Sequence, residues 1–378
     1  MIRDATQAQS AMTSSASIDG AQPGADVTAE GETLSSRGLR YVALEAPAAG
    51  ASIALENGVR WARIPLPVDL DHINVWLIDN GEGWIIVDTG MAASIGKDAW
   101  ESIDRDVFAA RPVCGIFVTH MHPDHIGLAA WLQDRFHVPV MMSARTRQIA
   151  ALLTEPAPPS ETARAAAFFR SHGLADFAAV QPIFRPERMS SIVSGMPTVE
   201  REIGDGEMLR FGGSEWLAME TNGHAEGHLC LSNAAAHVLI SGDQVLPTIS
   251  SNISYTWRND DLNPLGSYLS SLERLRKLPA DTFVLPSHGR PFRGLRHRID
   301  DLLQHHVEQL DKLVKACVEP KTATELLSVM FRRTLKGIHL FLAFAEVLAH
   351  LEYLVHAGRA ERVEAAGMVR YRTVNVMT

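Results

Sequence analysis

The segment Thr119-His120-Met121-His122-Pro123-Asp124-His125 gathers three imidazoles and a carboxylate within six positions, directly after the apolar run CGIFV. Composition alone produces such a string on the order of 10⁻³ times per chain, so chance does not account for it. His120 and His122, two positions apart at the end of a strand, can face the same way, while Asp124 and His125 curl back from the turn that opens a helix. Four nitrogen and oxygen donors then converge on a small volume, a set that suits Zn²⁺ or another borderline divalent ion. Cys114, Cys230 and Cys317 are far apart and form no CxxC. They suggest neither a thiolate zinc site nor a disulfide framework, and the chain reads as a reduced, cytoplasmic one.

Other apolar runs also stop on ligand-type residues: WIIVD on Asp88, METNGH on His224, LISGD on Asp243 and LPSH on His288. A glycine stands beside Asp243, His224 and His288 and two residues after Asp88, where the backbone must turn sharply or approach closely. The repetition points to one site fed by several strand ends. Among the remaining histidines, His305, His306, His339 and His350 fall in helical stretches near the C-terminus and are read as solvated or core residues.

The elements that must position these residues alternate. Strand-length apolar runs recur from about residue 60 (WARIPLP, INVWLID, WIIVD, CGIFVTH, WLAMET, HVLISGD, TFVLPSH), with helical patterns such as Ile95 to Ala109 and Ile126 to Phe136 between them. This is an α/β pattern, and two-sided apolarity suits strands covered by helices. Residues 1–38 hold few large apolar side chains and are read as a flexible leader. Residues 39–293 form the catalytic domain, with a helical, Pro-jointed insertion at about 144–198 that serves as a lid, a substrate wall or a peripheral helix pair. Residues 294–378 read as three helices and a β hairpin, a winged-helix-like domain folding as its own unit. The chain has 35 Lys and Arg against 44 Asp and Glu, a net charge of −9, which gives no overall basic footprint for nucleic acid or anionic membrane. No secretory signal and no uninterrupted run of 18 apolar residues is found, so no membrane partner is expected.

With these motifs in view, the stretch from about residue 60 to 293 resembles a metallo-β-lactamase-fold hydrolase: Asp88 in DTG, HMHPDH, His224 in TNGHAEGH, Asp243 in SGD and His288 in PSHG. The resemblance implies a four-layer αβ/βα sandwich with a metal site at one edge of two sheets. It implies further that His120, His122 and His224 hold one metal, that Asp124, His125 and His288 hold a second, and that Asp243 bridges both. Asp88 would orient ligands rather than bind. His228, four residues after His224, matches a frequent family position and is read as packed or supporting. Where the family commonly has Pro and Thr around the third motif, Asn222 and Ala225 stand here, and Ser287 replaces a common Gly. These departures reshape loops but remove no ligand.

Two Zn²⁺ ions, with Fe or Mn as substitutes, roughly 3.5 Å apart could share a bridging hydroxide and polarise a carbonyl or phosphoryl oxygen. Asp124 or a metal-bound water would assist proton transfer to the leaving group. No G-x-S-x-G elbow suggests a serine nucleophile. The expected activity is hydrolysis of an ester or thioester of the acyl-CoA or glutathione kind, with Tyr255, Trp257 and Arg185 lining the pocket around a small-molecule substrate. Lactonase or β-lactam hydrolysis is one alternative. Another is a metal-dependent endoribonuclease or phosphodiesterase whose C-terminal domain grips RNA, but residues 291–378 carry only 13 Lys and Arg against 10 Asp and Glu. A phosphate-tracking surface needs a denser stripe. The tail is therefore read first as a wall of the substrate cleft or a homodimer contact.

Overall fold

A computed structural model of the chain describes residues 33–34, 38–55, 58–154, 158–177, 180 and 191–374. The leader lies outside the described residues except for Gly38 and Thr33–Leu34, and those two form a short strand, β1. In chain order there follow β2 (Arg40–Tyr41), β3 (Ser52–Ala54), β4 (Val59–Pro65), β5 (His72–Asp79), β6 (Trp84–Val87), β7 (Val113–Phe117), β8 (Val140–Met142) and β9 (Val199–Glu202). Then come β10 (Met208–Phe211), β11 (Ser214–Thr221), β12 (His228–Asn233), β13 (Val238–Gly242), β14 (Phe283–Pro286), β15 (Phe292–Arg293) and the hairpin β16 (Ala360–Ala365) with β17 (Met368–Thr373). The helices are α1 (Ser94–Ile103), α2 (Pro123–Ile126), α3 (Ala129–Phe136), α4 (Ala144–Thr154), α5 (Pro159–Ser171), α6 (Pro264–Leu275), α7 (Leu295–Ala316), α8 (Ala323–Met330) and α9 (Gly337–His356).

Strands β3 to β9 form one sheet in sequence order, antiparallel through β6 and parallel from β6 to β9. The second sheet runs β1-β2-β15-β14-β13-β12-β11-β10, with β13 and β14 parallel. Side chains alternate along each strand. Ile85 and Val87 of β6, Leu229 and Leu231 of β12, and Phe283 and Leu285 of β14 meet in a core between the sheets. Ile86 faces α1 and α3 with Trp100 and Leu132. Cys230, Leu239 and Val284 face the other way, toward α6, α7 and α9. The result is the four-layer αβ/βα sandwich. The two-sided apolarity of the strand runs thus has one helix-covered side and one sheet-covered side, where the alternation rule had put helices on both.

The C-terminal stretch matches its predicted pattern of three helices and a hairpin. Thr322 caps α8 in a reciprocal box with Glu325, as Thr-x-x-Glu ahead of an apolar run dictates. Leu302, Leu313, Leu326, Phe344 and Leu348 belong to the same apolar cluster as Val284 and Leu239, so these helices are continuous with the core of the second sheet. α9, 20 residues long, is apolar enough to cross a membrane by length and composition, yet 56% of its most apolar 18-residue window is buried against the rest of the chain. In the insertion, Phe169 of α5 packs against Phe341 and Phe344 of α9.

One buried side chain ties the two sheets together. Asn74 of β5 donates to the carbonyls of Pro286 (2.8 Å) and Gly289 (2.7 Å) and accepts from Trp61 Nε1 (2.8 Å). Asn74→Ala should leave those groups unpaired in the core and cost about 3 kcal/mol, read as a lower urea midpoint of the metal-free protein.

Candidate metal centre

The parallel pairs β6/β7 and β13/β14 point their C-terminal ends to one edge of the sandwich, and every predicted ligand lies at that edge, Asp124 and His125 in the short helix α2 and the others in loops. Asp88 leaves β6 and residues 119–125 leave β7. His224 sits between β11 and β12, Asp243 follows β13, and His288 follows β14. Pro123 starts α2 at its first turn, where its missing N–H costs nothing, and this bends the chain so that Asp124 and His125 return toward His120.

Two donor groups result. His120, His122, His224 and Asp243 form one, and Asp124, His125 and His288 the other. In the first, His120 Nε2 lies 2.9 Å from His122 Nδ1 and 3.3 Å from His224 Nε2, and His224 Nε2 lies 3.5 Å from Asp243 Oδ2. In the second, Asp124 Oδ2 is 3.3 Å from His288 Nε2 and 3.6 Å from His125 Nε2. The other oxygen of Asp243, Oδ1, lies 3.4 Å from His125 Nε2 and 3.5 Å from His288 Nε2, so this carboxylate turns one oxygen to each group. Donors held tetrahedrally at a zinc ion's bond length stand about 3.3 Å apart, which these separations approximate.

The nitrogens' outer partners fix which lone pairs face inward. Carbonyl and carboxylate oxygens only accept, so His288 Nδ1–H donates to His72 O (2.9 Å), His224 Nδ1–H to Asn252 O (2.9 Å) and His125 Nδ1–H to Asp88 Oδ2 (2.8 Å). Thr119 Oγ1 donates to Asp88 Oδ2 and accepts from His120 Nδ1–H at 3.0 Å. Four Nε2 atoms are left aimed at the interior. Of these, His125 Nε2 and His288 Nε2 are buried without a hydrogen-bond partner, and so is Asp243 Oδ1. Buried, unpaired acceptors converging on one point are what a bound cation relieves.

The electrostatics agree. Burial opposes charge on His125, but Asp243, Asp88 and Asp124 outweigh it and hold its pKa well above the ordinary value. His288 is raised in the same way by Asp243 and Asp124. Burial likewise opposes the charge on Asp124 and Asp243, yet His125 and His288 bring Asp124 down to about 2 and hold Asp243 low. His120, His122, His224 and His228 are held low, chiefly by burial, with His122 at about 3.

The supporting residues were only partly visible in the sequence. Asp88, at φ +62°, reaches no inward nitrogen; it accepts from Thr119 N, Thr119 Oγ1 and His125. His228 takes the backbone N–H of Asp243 on Nε2 (3.2 Å) and donates from Nδ1 to Thr221 Oγ1 (2.8 Å), so it holds the carboxylate's backbone. A Cβ on Gly242 would stand 2.3 Å from that Nε2, which accounts for glycine there. Asn222 closes the reshaped third loop by accepting from Gly227 N at 2.8 Å. The carbonyls of His72 and Asn252 carry no side-chain signal and were missed. Tyr255 and Trp257 sit in an aromatic cluster with Phe168, and Trp257 Nε1 donates to Glu161. Arg185 lies outside the described residues. His306 and His350 pair with each other at 3.0 Å in the core, apart from the ligand groups.

Fold and donor set together define the class: the chain belongs to the metallo-beta-lactamase superfamily, whose members are metallo-hydrolases, and matches that family over residues 68–288. Residues 310–374 match the metallo-beta-lactamase-like C-terminal domain. The chain is similar to a beta-lactamase domain protein from Burkholderia ambifaria, with 39% identity, 89% of this chain and 98% of that one covered, and a TM-score of 0.81. It is 24% identical to the probable metallo-hydrolase YqjP of Bacillus subtilis (strain 168) over 77% of this chain and 90% of that protein. It is also 25% identical to an acyl-coenzyme A thioesterase of Bos taurus over 63% of this chain and 81% of that protein.

A pH dependence follows for the metal-free protein. Between pH 7 and 5 the four imidazoles held low gain protons more readily in the unfolded chain than in the folded one, so stability falls as pH drops through their unfolded value near 6.5. His125 and His288 act oppositely: their contribution is full below about 6.5 and is lost as pH rises through their raised folded values. With His72, His172, His306 and His350 also held low, the lowered imidazoles outnumber the raised groups His125, His288 and Glu346, so the thermal midpoint should be lower at pH 5 than at pH 7, as differential scanning fluorimetry of chelator-treated protein would record.

Proposed function

We propose that the protein is a dinuclear, zinc-dependent hydrolase of esters or thioesters, with acyl-CoA- or glutathione-type thioesters as the substrate class. The observation that carries the reading is Asp243, buried with one oxygen turned toward each of two complementary donor groups. When bound, paired divalent ions supply Lewis acidity and a water acidic enough to attack a carbonyl at neutral pH.

The chain's own residues do the rest. Asp88 and Thr119 fix the rings of His125 and His120, while the carbonyls of Asn252 and His72 fix those of His224 and His288. The inward nitrogens are thereby set before any substrate arrives. His122, Asp124 and His224 keep some exposure while His120, His125 and His288 are fully enclosed, so the substrate approaches on the side of the first three. Asp124, with its pKa at about 2, is an anion at neutral pH. It acts as a ligand and a hydrogen-bond acceptor, and proton delivery to the leaving group falls to solvent. The similarity to a bovine acyl-coenzyme A thioesterase supports the choice of thioesters. A cytoplasmic setting belongs to the same proposal.

A panel of acyl-CoA and glutathione thioesters, lactones and fluorogenic RNA tests the reading on protein of measured metal content. Thioester turnover in proportion to bound zinc is the expected result. Turnover of RNA alone would replace the substrate class with a phosphodiester. His122→Ala and Asp243→Ala should each lower turnover by at least about a hundredfold and release metal, since first-contact ligands matter more than the supporting groups whose loss costs about 10- to 100-fold.

A further inference from the structure

The ligand His224 is oriented by a backbone carbonyl, that of Asn252, and a carbonyl is only as fixed as the loop that bears it. The loop following β13 is clipped to one face of α9. Asn252 Nδ2 donates to Glu346 Oε2 (3.0 Å) and lies 3.4 Å from the carbonyl of Leu342, and Tyr255 N donates to the carbonyl of Ala345 (3.0 Å). Ser254 Oγ completes the clip by donating to Asn252 Oδ1 at 2.6 Å. Of these anchors on α9, Glu346 is the one made by a side chain, and it belongs to the C-terminal domain rather than to residues 68–288.

Packing does not explain a carboxyl there. Glu346 stands on a helix flanked by Ala345 and Val347, both buried and the latter part of the apolar cluster, and burial pushes its pKa up to about 7. A group that is costly to bury and that meets the Nδ2 of a loop asparagine is placed for that contact.

We propose that Glu346 is a positioning residue of the metal centre: by holding the Asn252 side chain it fixes the carbonyl that orients His224, so the C-terminal domain takes part in metal binding. The inference rests on the metal-centre reading above.

The test is zinc affinity of the full chain, measured by chelator competition on metal-free protein, together with the visible absorption of the cobalt-loaded form, which follows ligand geometry. Glu346→Ala should weaken zinc binding about 10- to 100-fold and shift the cobalt band, while Glu346→Gln, whose amide oxygen still accepts from Asn252, should stay within about threefold of wild type. Leu354→Ala, on the same helix and in the same core, is the control; it should lower the thermal midpoint and leave zinc affinity and the cobalt band unchanged. Should Glu346→Ala not fold, Asn252→Ala carries the test, because it removes the donor, keeps the backbone carbonyl, and should give the same loss. Wild-type zinc affinity in either variant overturns the proposal, as does an equal loss in Leu354→Ala. A wild-type chain that takes up no zinc would overturn the metal-centre reading itself, whereas normal uptake by both wild type and Glu346→Ala would overturn only this inference.

Discussion

A buried demand for positive charge governs this molecule. Asp88, Asp124 and Asp243 stand within reach of His125 in a space from which water is largely removed, and anions so placed are costly unless something positive joins them. In the metal-free chain, protons on His125 and His288 would meet part of that demand, and the carboxylates accordingly raise the pKa of both rings. The unpartnered Nε2 atoms and Asp243 Oδ1 show that these protons are a poor substitute for ions binding all donors at once. Family membership, donor spacing and ring orientation all describe the same requirement.

The sandwich meets it through topology. Parallel neighbours at the middle of each sheet send several loops out of one edge, and the antiparallel strands bring the start of β5 and the start of β12 to the same place. That is why a carbonyl from the beginning of β5 serves His288, and why His228, first residue of β12, serves Asp243. Asn74, two residues into β5 from His72, locks the loop of His288 against the opposite sheet. Register along β5 therefore sets both the core contact and the orientation of a ligand.

Much of this could be read from residue order. HMHPDH announced its own convergence because ligands close in sequence at a strand end are necessarily close in space, and runs that terminate on Asp or His marked the other loops. Helices α7 to α9 and the final hairpin emerged at their expected places, since their apolar period is long and uninterrupted. What stayed hidden had no side-chain signature. β8 has three residues and β9 reads VERE, too short or too polar to register, and HLCLSN of β12 sat behind the loop that carries His224. The orienting carbonyls belong to the backbone, and the hold of His228 on Asp243 depends on a bend at Gly242 that residue types do not disclose. The family resemblance supplied the division of ligands between two ions, and the inter-group distances follow that division.

The donors are divided unequally along the polypeptide as well as in space. His120, His122, Asp124 and His125 come from the first sheet, while His224, Asp243 and His288 come from the second, after about a hundred further residues. During synthesis on the ribosome the first set is complete long before the second exists, and neither half encloses an ion alone. Capture is thus a late event in maturation, reserved for a chain whose two halves have already closed on each other. A nascent or misassembled copy offers only an open, weak chelate that gives its ion back to the cell.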